Sequence, residues 1–175
     1  EERHVKTYRH FVPEVETEIA VCVNSGALDP YRATFASGFP VPETLRYLAG
    51  QGRSRRLVDR LQGRSSAPLF VDVGANIGGV AFFAAALGMD VLAVEALPEN
   101  YLLLCRGVLA NGFKRVVPCH VAASSVPGLL GFAGEGAWGH VPKATGEAAA
   151  FPVPALRGDE ILALYGFEEP DVVKI

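Results

Sequence analysis

Two apolar runs, joined through a glycine-rich turn and closed by a carboxylate, constrain this chain more than any other feature. They are Leu69-Phe70-Val71-Asp72-Val73-Gly74-Ala75-Asn76-Ile77-Gly78-Gly79 and Val91-Leu92-Ala93-Val94-Glu95. Short apolar runs without alternation suit strands buried on both faces, and the alanine-rich stretch between them suits a helix. Strand, turn, helix and strand make the βαβ unit of a parallel sheet. Gly74 and Gly78 remove β-carbons where the chain turns sharply and where a ligand approaches the backbone. The helix that follows presents free amide groups at its start. Glu95 lies twenty-one residues after Gly74, close to the roughly 20-residue offset at which an acidic side chain meets ribose hydroxyls. The segment reads as half of a nucleoside-binding site.

The glycine pattern bears on which nucleoside is expected. Dinucleotide sites use GxGxxG so that the backbone can lie against a pyrophosphate. Here the turn reads GANIGG, with Asn76 at the middle glycine position. Its side chain adds bulk where a pyrophosphate would approach, which disfavours a nicotinamide cofactor and favours a ligand without phosphates such as S-adenosylmethionine. The blocks DVGANIG and VEALPENYLLL, then Asn111 and the final DVVKI, resemble the FkbM-type methyltransferases. That family shares a DxGANxG turn, a strand ending in an acidic residue, a Pro-x-Asn segment and a late KIDxEG strand. The resemblance runs from about Leu69 to Ile175. It departs from the family at Ala96-Leu97-Pro98, where a proline more often follows the acidic residue directly. It is also cut at Ile175, before the acidic residue and glycine of the last block.

The resemblance implies an α/β fold, the Rossmann-like doubly wound sheet of class I methyltransferases. Its visible parallel strands would take the order 3, 2, 1, 4, with the C-terminal strands missing and an N-terminal strand and helices added. Residues 1–66 are expected to be accessory and residues 67–175 to form an incomplete S-adenosylmethionine-binding domain. Glu1 is not a methionine and the chain stops inside an expected strand. Both points suggest a processed chain, an excised domain or part of something larger, with a protein partner or a further segment covering the open sheet edge.

The length of 175 residues suits one domain, and half of them are hydrophobic, enough for a sizeable core. A net charge of −3 and a pI near 5.8 lead to the expectation that no nucleic acid is a partner, leaving a small molecule or sugar as acceptor. No apolar run reaches the roughly 18 residues of a membrane span, and no secretory leader is visible at the start. Cys22, Cys105 and Cys119 are widely spaced and odd in number, which suits buried free thiols, a reducing compartment (cytoplasm or organelle lumen) and no metal site.

Ahead of the turn, Glu14 to Val23 alternates as a half-buried strand, with Val15, Thr17, Ile19, Val21 and Val23 on one face and Glu14, Glu16 and Glu18 on the other. Thr44 to Gly50 and Arg53 to Gly63 read as short helices. Arg53, Arg55, Arg56, Arg60 and Arg64 form a stripe, either a solvated face or a contact for an anionic group. Beyond Glu95, Pro98 to Asn111 reads as a helix with Leu102, Leu103, Val108 and Leu109 inward. Arg115 to Ala123 is the third strand. Gly128 to Pro142 reads as a glycine-rich mobile loop or hairpin around Trp138 and His140, and Ala144 to Ala150 as a connector. Phe151 to Leu156 is a strand and Arg157 to Tyr165 a helix ended by Gly166.

The residues expected to bind the cofactor are Asp72, Gly74, Ala75, Asn76, Gly78, Glu95 and Ala122, with Val121 and Ala123 offering backbone contacts and Asn100 shaping the edge. Asp72 and Glu95 would supply the negative field that a sulfonium favours, unless Asp72 only supports the turn. Methyl transfer to a hydroxyl also needs a destination for the proton. His120, His140 and Lys174 are candidates by residue type alone, and no base is assigned. The competing reading is a non-catalytic module of the same fold within a larger assembly.

Overall fold

A computed structural model describes residues 5–24, 67–133, 140–141 and 151–175. The two expected helices before the turn, the arginine stripe, Trp138 and the alanine connector lie outside the described residues. The chain opens with a hairpin of strands β1 (Val5–Val12) and β2 (Thr17–Asn24), in register from Val5 opposite Asn24 to Val12 opposite Thr17. A single 3-10 turn at Pro13–Val15 connects them and ends on Glu16 at φ 50°.

The parallel sheet follows: β3 (Leu69–Val73), helix α1 (Gly79–Ala86), β4 (Asp90–Val94), helix α2 (Pro98–Asn111) and β5 (Val116–Cys119). The remaining elements are β6 (Ala122–Ala123), β7 (Gly128–Phe132), β8 (Phe151–Leu156), helix α3 (Gly158–Leu164) and β9 (Val172–Lys174). Strand order in the main sheet is β5-β4-β3-β9, and every pairing is parallel. Numbered along the chain, the four strands stand 3-2-1-4. This is the order of one half of a Rossmann-like doubly wound sheet, with a further strand on its far edge.

The strands can be apolar throughout because both faces are covered. Phe70, Val91, Ala93 and Val116 join one cluster with Phe82 and Phe83 of α1 and Leu103 and Leu104 of α2. Leu69, Val71, Leu92, Val94 and Cys119 join another with Ile161 of α3. α2 begins at Pro98, where the missing N–H is no loss, and ends at Gly112 with φ 65°. Its inward face is Asn100, Leu103, Leu104 and Gly107. Leu102 and Leu109, expected inward, are exposed.

The N-terminal hairpin docks on α2 and completes the first cluster with Ile19, Val21 and Val23. Asn111 is the latch. Its side chain accepts from Ala20 N–H and donates to the Ala20 carbonyl, both at 2.7 Å, and donates to Gly107 O at 2.7 Å. β2 begins three residues after the expected start at Glu14, because the 3-10 turn uses Pro13–Val15. Ala20 and Cys22 are buried along with Ile19, Val21 and Val23, so both faces of the strand are covered.

The expected third strand is two strands. β5 pairs with β4 through Cys119, and the chain then leaves the sheet at His120–Val121. Ala122–Ala123 pairs instead with β8 in a small sheet ordered β6-β8-β7. Pro152 and Pro154 fit in β8 because β6 pairs only with Ala155 and Leu156, leaving no ladder for the prolines to break on that side. The stretch read as a mobile loop or hairpin begins as β7, which runs antiparallel to β8 with Phe132 opposite Phe151.

Candidate functional site

A cavity of about 250 Å³ opens at the carboxyl ends of β3 and β4, the place where doubly wound sheets take their ligands. Val73, Gly74 and Asn76 form one wall. Val94 to Leu97 and Asn100 form a second, and Val121 to Ala123 with Phe132 a third. Each wall comes from a chain reversal that its sequence dictates. Gly74 turns at φ 71° and Asn76 at φ 54°, the left-handed region that asparagine tolerates best among residues with a side chain. Asn76 Oδ1 steadies the turn by accepting from Ile77 N–H at 2.8 Å. Gly74 N–H and Ala75 N–H both donate to Val94 O at 2.9 Å, which fastens the turn to β4.

Glu95 is the centre of the site. It is buried, with 6 % of its surface exposed, and it lines the cavity. Asn76 N–H donates to Oε2 at 2.7 Å and Leu97 N–H donates to Oε1 at 2.8 Å. Asn100 adds a side-chain hydrogen bond. Burial pushes the Glu95 carboxyl above its ordinary pKa, while the Leu97 and Asn76 amides and Asn100 pull the other way. A carboxylate offers about four lone-pair directions, so acceptor capacity remains beyond these three bonds. The one direction left matches a hydroxyl donor of a ligand.

Of the residues expected to hold a cofactor, Gly74, Asn76, Glu95 and Ala122 line the cavity, while Asp72, Ala75 and Gly78 do not. Asp72 lies behind the turn with none of its surface exposed, and Lys174 Nζ stands 3.0 Å from its Oδ1. Its charge is therefore met by an ammonium rather than directed at a ligand. Burial still pushes its carboxyl pKa up, against the lowering effect of Lys174 and of the Ala81 amide. Ala75 packs into the core. At Gly78, φ 97°, a β-carbon would come within 2.3 Å of the Phe82 ring, so this glycine makes room for a core side chain rather than for a ligand. A β-carbon on Gly74 would meet no protein atom within 4 Å.

Val121, Ala123 and Asn100 line the cavity as expected. Phe132 was not foreseen. Its signal was the partial alternation of Leu130 and Phe132 inside a glycine-rich stretch. None of the three candidate bases lines the cavity. His120 Nε2–H donates to Ala96 O at 3.1 Å, and its ring stacks on Tyr101 at 4.8 Å. His140 pairs through its main chain with Ala133. Lys174 donates to the carbonyls of Val73 and Gly74.

Among the described residues no group of three metal-ligating side chains converges, and no helix is long and apolar enough to cross a membrane. Cys22, Cys105 and Cys119 are free thiols, Cys22 and Cys119 buried and Cys105 partly so.

No protein-family model and no curated protein matches the chain. Solved structures with a similar fold include the T. Thermophilus 16S rRNA N2 G1207 methyltransferase (RsmC) in complex with AdoMet and guanosine. There the TM-score is 0.42 and the identity 20 % over 66 % of this chain and 27 % of that one. A SAM-dependent methyltransferase from Agrobacterium tumefaciens is a second, with TM-score 0.42 and 13 % identity over 67 % of this chain and 32 % of that one. The chain thus spans about a third or less of the length of either protein.

The expectation that nucleic acid is not a partner is corrected by the first of these, an rRNA methyltransferase seen with guanosine. Net charge does not decide the point, because it is a sum and blind to local basic surface.

Proposed function

We propose that this chain forms the S-adenosylmethionine-binding half of a methyltransferase. The observation that carries the proposal is Glu95, held at the end of β4 by two backbone amides at 2.7 and 2.8 Å while it faces the cavity. In this reading Glu95 accepts from the ribose diol, and the backbone at Val121 to Ala123 meets the adenine edge. Phe132 supplies an apolar wall. The Gly74 turn leaves room for the rest of the ligand. The volume of about 250 Å³ lies below the roughly 300–1,000 Å³ usual for whole small-molecule sites, in keeping with a cavity that encloses the nucleoside end.

When bound, the cofactor supplies a sulfonium methyl group to a nucleophile. The chain's part is to fix the sulfonium's position, so that an acceptor can approach in line with the methyl. Glu95 adds a carboxylate to a site that receives a cation.

Calorimetric titration tests this. S-adenosylmethionine is expected to bind in the micromolar range and NAD not to bind. Glu95→Ala is expected to weaken S-adenosylmethionine by about tenfold or more, the loss typical of a hydrogen bond to a charged group. Equal affinity in the variant would remove Glu95 from the site, and no binding by the wild type would leave the non-catalytic module. An acceptor panel follows, spanning the hydroxyl groups to which the FkbM-type resemblance points and structured RNA.

A further inference from the structure

Lys174 stands directly opposite Asp72 in the parallel register of β9 and β3. Its ammonium makes three contacts at once. It lies 3.0 Å from Asp72 Oδ1, and it donates to Val73 O at 3.1 Å and to Gly74 O at 3.0 Å. Those two carbonyls are the last of β3 and the first of the turn. The amide of Gly74 and that of Ala75 meanwhile reach across to Val94. The turn is thus pinned on one side by β4 and on the other by a single side chain one hundred residues away.

We propose that Lys174 is a positioning residue that clamps the Gly74 turn by its main-chain carbonyls, and that Asp72 exists to hold the ammonium in place. Lys174 does not line the cavity, so it acts through the turn and not on a ligand. Three elements face Asp72: β9 through Lys174, β4 through Glu95, and the start of α1 through the Ala81 amide. Of these, Lys174 alone brings a full positive charge. A buried carboxylate with no role would be expensive to keep, and among the described residues neither oxygen has a hydrogen-bond partner, Oδ1 being met by the Lys174 ammonium as an ion pair. Its retention is explained if the lysine it orients sets the shape of the turn. An ammonium carries three donors; two of them go to the Val73 and Gly74 carbonyls, while its charge faces Asp72 Oδ1.

The consequence for ligand affinity rests on the cofactor reading above; the clamp itself does not. Hydrogen exchange of the ligand-free protein, resolved by residue, reads it directly at Gly74 and Ala75, with Val91, which donates to Arg115 O at 2.8 Å, as reference. Lys174→Met is expected to speed exchange at Gly74 and Ala75 by about tenfold relative to Val91, the effect of losing hydrogen bonds to a charged donor. Lys174→Arg, which keeps the charge and the donors, is expected to restore most of the protection.

The decisive variant is Asp72→Asn/Lys174→Met, which has no buried charge to destabilise it and so stays readable should Lys174→Met fail to fold. Fast exchange at the turn in this double variant supports the clamp. Wild-type protection there would overturn it and reduce Lys174 to a counter-ion for Asp72. In the same variants, S-adenosylmethionine affinity is expected to fall about tenfold. A wild type that binds no S-adenosylmethionine would sink the cofactor reading, while the exchange data would still decide the clamp.

Discussion

Phe82 is a core side chain whose ring fills the space left by two glycines. A β-carbon at Gly78 would lie 2.3 Å from the ring, and one at Gly107, on the facing helix, 2.5 Å. Gly78→Ala meets this clash and a positive φ together. It is expected to destabilise the fold by roughly 2–5 kcal/mol, the sum of typical overpacking and left-handed backbone costs. Denaturant unfolding measures it. Gly74→Ala has only the backbone cost, since nothing lies within 4 Å of its β-carbon, and a comparable loss in the two variants would contradict the assignment. The two glycines of one motif therefore do different work, one serving the turn and the other a phenylalanine. That distinction is invisible in the string GANIGG, because Phe82 reaches Gly78 from the helix that follows.

Among the elements, the βαβ core was legible because each strand is buried on both faces and so reads as a pure apolar run, and because Pro98 and Gly112 mark the ends of α2. The late strand β9 was legible only through the resemblance at DVVKI. What stayed hidden depended on partners far along the chain. The fact that β1 is a strand rests on β2, since Val-Lys-Thr-Tyr-Arg-His-Phe-Val carries no clean alternation. The exit of the chain from the main sheet at His120 depends on β8, some thirty residues later. The docking of the hairpin depends on Asn111, read in the sequence as a helix stop. Its three bonds of 2.7 Å make it the main polar link between hairpin and helix. Asn111→Ala is expected to cost about 2–3 kcal/mol, at about 1 kcal/mol for each bond lost, with exchange rising first at Ala20. A loss confined to a few tenths of a kcal/mol would mean that the apolar contacts of Ile19, Val21 and Val23 hold the hairpin alone.

Taken whole, the molecule keeps two carboxyl groups, Asp72 and Glu95, whose pKa values burial has raised. A carboxyl that is easier to protonate folded than unfolded contributes stability below its unfolded pKa and loses that contribution as pH rises through its folded pKa. The stability of Asp72→Asn relative to the wild type is therefore expected to rise as pH increases from about 4, the range in which the unfolded carboxyl ionises, through the higher folded pKa. Thermal melts across that range check it, and an advantage that shrank with rising pH would reverse the sign. The site thus costs the fold something at neutral pH, a pattern common where structure serves binding.

The pairing of β9 with β3 also has a consequence in time. A ribosome delivers β3, α1, β4, α2 and β5 before residue 172 exists, and until then one edge of the central strand and one side of its turn lack their partners. Local steps run early, but the last parallel pairing closes a loop of about a hundred residues, the kind of non-local closure that slows folding. Through that interval the nascent chain would hold its cavity with one side of the turn unfastened, so any affinity of that cavity for a ligand would wait until β9 has been made.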